Sequence, residues 1–143
     1  MKRRTAREKA LQALFQMNIS GIEVKEAIAN VLEEEQNDSF LQQLVEGTIQ
    51  HLPQIDAEIQ KHLENWTLDR LAKVDITILR MGMYELLFNE DVPENVAINE
   101  AIEIAKIFGD DHSGKFINGI LSKAKEENER KRSGEEEDDS PFD

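Results

Sequence analysis

No cysteine occurs among the 143 residues, which excludes disulfides, thiolate nucleophiles and Cys-based zinc sites. Proline is scarce: only Pro53, Pro93 and Pro141 interrupt the chain. Apolar runs are a few residues long at most, too short for a membrane-crossing helix. The basic start MKRRTARE is not followed by the apolar stretch of a signal peptide, so a cytoplasmic protein is expected. No segment sustains period-two alternation with β-branched enrichment, and no sheet is predicted. What is abundant is charge, at 33% of residues, beside 39% hydrophobic residues. That mixture suits one domain of ordinary size with a charged surface.

The net charge is −13, and its distribution says more than its sum. Residues 1–22 are basic, with Lys2, Arg3, Arg4, Arg7 and Lys9 against Glu8 alone. The rest of the chain is acidic, most densely at EEEDD near the C-terminus. The bulk of the molecule should repel nucleic acid while its first turns attract a localised anion.

The periodicity predicts an all-α fold of about seven helices. The first runs from about Lys2 to Asn18, with Ala6, Ala10, Ala13, Leu14 and Met17 on one face. A second spans Val24 to Glu35. Asn37-Asp38-Ser39 caps a third, from Phe40 to about His51. Pro53 breaks it, and Ile55, Ile59 and Leu63 mark a fourth. Thr67 caps the fifth and longest, Leu68 to about Asn89. The sixth covers about Glu94 to Phe108, with Gly109 as its left-handed terminator. The seventh runs from about Gly114 to Glu127. Residues 1–127 are thus read as the folded domain. Residues 128–143, with almost nothing to bury, are read as a disordered acidic tail.

One stretch invites an enzymatic reading. Gly109, Gly114 and Lys115 match the opening of the phosphate-loop pattern. That loop needs a strand before it and a hydroxyl after the lysine, whereas a helix precedes it here and Phe116 holds the hydroxyl position. Asp110 and Asp111 would also repel phosphate. A loop between two helices explains the glycines, and Lys115 with the last helix's first amides could at most contact a phosphate. The three histidines, His51, His62 and His112, lie on separate predicted elements, and no His/Glu spacing gathers metal ligands. No G-x-S-x-G surrounds a serine. No catalytic residue, metal or cofactor is expected.

The first helix carries the positive signal. Arg4, Arg7, Leu11 and Phe15 fall within about 80° on the helical wheel. Guanidinium groups grip phosphates and an aromatic ring stacks on an unpaired base, so the strip suits single-stranded RNA better than duplex DNA. Loss of Arg4 and Arg7 is expected to lower the salt slope of RNA binding by about two.

Three blocks, RRTAREKALQALFQ at the start, WTLDRLAKVDITILRMGMYELL at 66–87 and VPENVAINEAIEIAKIFGDDHSGKFINGIL at 92–121, resemble the NusB family of bacterial transcription antitermination factors. The resemblance implies two small helical bundles packed together. It implies binding of boxA RNA, a single-stranded element of ribosomal RNA transcripts, jointly with NusE, a small-subunit ribosomal protein. It also implies assembly with RNA polymerase and other Nus factors. By the same resemblance, Arg3, Arg4, Arg7, Phe15, Ser113, Lys115 and Phe116 form the RNA surface, and Asp69, Asp75, Glu85 and His112 face the protein partner. NusB-like domains also begin ribosomal RNA cytosine methyltransferases, and this chain is expected to lack that second domain. The competing expectation is a protein-binding helical scaffold whose acidic surface recruits a basic partner without RNA.

Overall fold

Small side chains set how closely the first helices approach. In the computed structural model, which describes residues 1–134, α1 spans Arg3–Ser20 and buries Ala6, Ala10, Ala13, Leu11 and Leu14. α1 ends where Gly21 turns left-handed at φ 70°, its N–H donating to the Met17 carbonyl. α2 covers Val24–Leu32. It stops short of the expected Glu35 because its apolar face ends at Leu32, and the Glu33–Glu35 run that follows has nothing to bury. α3 spans Ser39–Gln50, and the Asp38 carboxylate caps it by accepting from the Leu41 N–H at 3.0 Å. In α4, Leu52–Lys61, Pro53 lies in the first turn. Its missing N–H is harmless there, so this proline opens a helix.

The expected long fifth helix is split. Leu68–Arg70 forms one 3₁₀ turn, Leu71 and Ala72 are extended, and α5 proper is Lys73–Phe88. The cause is a tether. The Gln60 side chain of α4 donates to the Trp66 carbonyl at 2.9 Å and accepts from the Leu68 N–H at 3.2 Å. Leu68 and Leu71 pack on the core from that position. α6 runs Glu94–Phe108 and α7 runs Ser113–Ser133. Gly109 is extended, with φ −95° and ψ −168°, and not left-handed as expected. Its requirement is spatial: an added Cβ would overlap the Ser113 side chain and sit 2.9 Å from the Ala105 carbonyl oxygen.

α7 also continues past Glu127, into the expected tail. Glu94 at the start of α6 accepts from Asn128 Nδ2 at 3.3 Å and pairs with Arg132 at 2.7 Å. The remainder of the expected tail, 135–143, lies outside the described residues. Among the described residues every regular element is helical, and none is long and apolar enough to cross a membrane.

Among the described residues, α1–α3 and α5–α7 form two bundles joined through α5, which also contacts α1, α3 and α4. Ten of its sixteen residues are buried, Ile76 to Leu79 and Met81 to Leu86. The core between the bundles includes Leu41, Leu44, Ile55, Ile59, Ile78, Leu79, Ile117 and Leu121. Each such side chain contributes about 1.5–3 kcal/mol on burial. α3 passes close to α5 at Gly47, where any Cβ would overlap the Tyr84 ring.

Candidate nucleic-acid interface

The start of α1 has no side-chain cap and no acid in its first turn. Its bases therefore crowd the positive end of the helix dipole, an arrangement that costs stability. Acids and an aromatic from other elements offset that cost. Arg3 is exposed and places its guanidinium carbon 4.7 Å from the centre of the Phe40 ring. Arg7 approaches the same ring at 5.0 Å. Arg4 donates through Nε to Glu100 Oε1 at 2.8 Å and through its terminal nitrogen to Glu100 Oε2.

Arg7 does not lie on a solvent strip. Its side chain is 3% exposed, and it makes a two-pronged pair with Glu85, Nε to Oε1 at 2.8 Å and a terminal nitrogen to Oε2 at 2.9 Å. A third bond reaches Glu100 at 3.1 Å. The expectations of an outward Arg7 and a surface acid at Glu85 are corrected by the same fact: the two neutralise each other, and Glu85 is 2% exposed. Burial opposes the Arg7 charge, but the Glu85 hydrogen bond and both carboxylates hold its pKa above the ordinary arginine value. The Arg4 hydrogen bond holds the Glu100 carboxyl below the usual range. α1, α5 and α6 are thereby joined in one alternating chain of charge: Arg4, Glu100, Arg7, Glu85.

The remaining expected RNA residues separate into distinct places. Leu11 is buried and Phe15 half-buried, so the four-residue strip read from the wheel is interrupted. Lys115 is exposed and lines a cleft with Ile102, Lys106, Asp110 and Asp111. Lys106 lies six residues beyond Glu100 on α6, about 9 Å along the helix, so α6 connects the Arg4 cluster to the lysine cleft. Ser113 is buried. Its hydroxyl lies 2.7 Å from Asp75 Oδ1 and accepts from the Asp110 N–H at 3.0 Å. It anchors the α6–α7 loop to α5 and offers no free face to RNA. The His112 N–H donates to Asp110 at 2.8 Å, which holds the Asp110 carboxyl below its ordinary pKa.

Phe116 turns away from the lysine cleft. It lines a mostly apolar cavity of about 310 Å³ with Trp66, Arg70, Asp75 and His112. Two of the expected partner-facing residues, Asp75 and His112, therefore meet there, and the exposed Asp69 stands on the adjoining 3₁₀ turn. Trp66, 54% exposed, is the side chain that sequence reasoning passed over. A lone tryptophan beside a helix break was its available signal. Phe40 and Glu100 were also missed as site residues, because pairing across three helices leaves no mark on local spacing. Arg80 pairs with Asp56 at 2.8 and 3.0 Å. One further gathering, not visible in local spacing, places Glu58 and Glu127 around His62.

Comparison with known proteins gives a consistent answer. The profile of the NusB family matches residues 4–126. The transcription antitermination protein NusB of Bacillus subtilis (strain 168) is 58% identical over 130 residues, covering 91% of this chain and 99% of the relative. Among solved structures, T. maritima NusB superposes with a TM-score of 0.83 at 37% identity, covering 95% of this chain and 99% of that one. A crystal structure of antitermination factors NusB and NusE in complex with dsRNA matches with a TM-score of 0.79 at 30% identity, over 87% of this chain and 96% of that one.

Proposed function

The chain belongs to the NusB family, and from that premise we propose that it is a transcription antitermination factor. It binds boxA RNA of ribosomal RNA transcripts together with NusE, and so helps RNA polymerase, with other Nus factors, to resist premature termination. It acts in the cytoplasm as a binding adaptor and not as an enzyme. The observation that carries the reading is the match of fold and sequence along nearly the whole chain to antitermination proteins, one of them crystallised with NusE and RNA.

The geometry supports a division of labour. Arg3 and Arg4 on α1 and Lys115 on α7 supply the accessible cations, with Phe15 as the half-exposed ring. Arg7 acts by holding the face together, because its charge is already balanced by Glu85 and Glu100. Asp75, His112 and Phe116 line the Trp66 cavity, and with Asp69 on the adjoining 3₁₀ turn they form the side that receives NusE, whose basic surface suits these acids.

The test is fluorescence anisotropy of labelled boxA RNA, single-stranded and as a duplex, against a scrambled strand, with and without NusE. Tighter, sequence-selective binding in the presence of NusE is expected. Arg3→Ala and Arg4→Ala should each reduce the salt slope by about one. Equal weak binding to every RNA with NusE present would sink the adaptor reading. NusE binding without any RNA contribution from α1 would leave the protein-scaffold reading in its place.

A further inference from the structure

Away from that interface, three side chains converge that the adaptor role leaves unused. Glu58 on α4, His62 just after α4 and Glu127 on α7 each present a ligand atom, all within 4.8 Å of one another. Glu58 and His62 are four residues apart, which sets them on one face of the helix. His62 Nε2 lies 3.5 Å from Glu58 Oε1 and 3.6 Å from Glu127 Oε2. The His62 side chain is only 10% exposed, and Nε2 is a buried atom without a hydrogen-bond partner. Such an atom is unfavourable unless something meets it.

The two carboxylates are arranged to meet it with a cation. Lys61 sits 3.1 Å from Glu58 Oε2 and also bonds Glu127 Oε1, while Lys131 reaches Glu127 Oε1 at 3.1 Å. Each glutamate thus gives one oxygen to lysine and turns the other to His62. The Lys61 hydrogen bond, with that of Lys131, keeps the Glu127 carboxyl below the usual range. Both carboxylates face the imidazole from different helices, one from α4 and one from α7.

We propose that Glu58 Oε1, His62 Nε2 and Glu127 Oε2 form a binding site for a divalent transition-metal ion of the zinc class, which ties the end of α4 to α7. In a tetrahedral site with bonds of about 2.0–2.2 Å, ligand atoms stand roughly 3.3–3.6 Å apart. The two separations from Nε2 fall in that interval. An imidazole nitrogen with two carboxylate oxygens suits zinc, nickel or copper, whereas calcium and magnesium select oxygen alone. Three protein ligands leave the fourth position to water. The lysines behind each carboxylate orient these ligands and fix the oxygens they present.

The experiment is calorimetric titration of the full-length, metal-free protein with zinc chloride at about pH 7, where an imidazole ligand binds deprotonated. A parallel cobalt(II) titration is followed by visible absorption, and melting temperature is measured at saturating zinc. One ion per chain, the absorption of four-coordinate cobalt and a melting temperature raised by several degrees are expected. His62→Gln should weaken zinc binding by about 100-fold and abolish the cobalt signal. His112→Gln, which alters the acidic α6–α7 loop, should leave both intact. Glu127→Gln provides an independent check should His62→Gln fail to fold, and should also lower affinity. Absence of stoichiometric binding to the wild-type chain, or unchanged binding in both His62→Gln and Glu127→Gln, would overturn the site. In that case the three side chains are a packing contact between the end of α4 and α7 and not a metal site.

Discussion

Arg7 and Glu85 come from opposite bundles and are paired out of water. Removing Glu85 leaves the buried Arg7 with Glu100 as its carboxylate partner, and breaking a buried pair costs about 3–5 kcal/mol, whereas apolar replacement of both members is often nearly neutral. Glu85→Ala should therefore lower unfolding free energy by that amount in urea titration, and Arg7→Met with Glu85→Leu should recover most of it. Glu100 poses a different question, because its carboxylate holds the Arg4 guanidinium that a phosphate would want. Glu100→Gln should tighten RNA binding several-fold in the anisotropy assay, since the competing anion is gone while the Arg7–Glu85 pair stays. Weaker binding in that variant would mean that Glu100 positions Arg4 for RNA and does not compete for it. Sequence reasoning found the arginines but not their partners. A helical wheel ranks residues by angle on one helix, and Arg7 is drawn inward by carboxylates lying 78 and 93 residues away.

At the scale of elements, much was legible. Seven helices, the Asp38 cap and the turn before α6 follow from apolar periodicity and from the local chemistry of Asp and Pro. The errors share a physical cause, which is that contacts from other elements override local propensity. Gln60 ties down the Trp66–Leu68 segment and splits the expected fifth helix. Glu94 binds Asn128 and Arg132 and extends α7 where composition alone suggested disorder. Its place at a helix end suggests Gly109 as a left-handed terminator, yet the structure uses it for close approach to Ser113 and Ala105. Gly109→Ala should accordingly disturb the α6–α7 loop, lowering stability by about 1–3 kcal/mol through overpacking. The substitution should also weaken the Ser113–Asp75 bond and with it NusE binding, measured by calorimetry. A stable variant with unchanged NusE affinity would separate the loop from the partner side.

For the whole molecule, pH reports how the charge is held. Glu100, Glu127 and Asp110 all ionise below their ordinary range. A depressed carboxylate contributes stability that is complete above its unfolded pKa and is lost as pH falls through the folded one. Melting temperature should thus hold until pH falls to about 4.3 and then drop, less steeply in Glu100→Gln than in wild type. An identical acid limb in the variant would deny Glu100 that role. The net charge of −13 works the other way at neutral pH, where self-repulsion opposes compaction. The central place of α5 has a further effect during synthesis. A chain emerging from the ribosome releases its N-terminal part first, so α1 to α4 appear before the helix that α1, α3 and α4 pack against. Until Phe88 has emerged, that half of the protein carries an uncovered apolar trough. The nascent chain must be sheltered or hurried through that interval, and its assembly waits on a helix that begins halfway along the sequence.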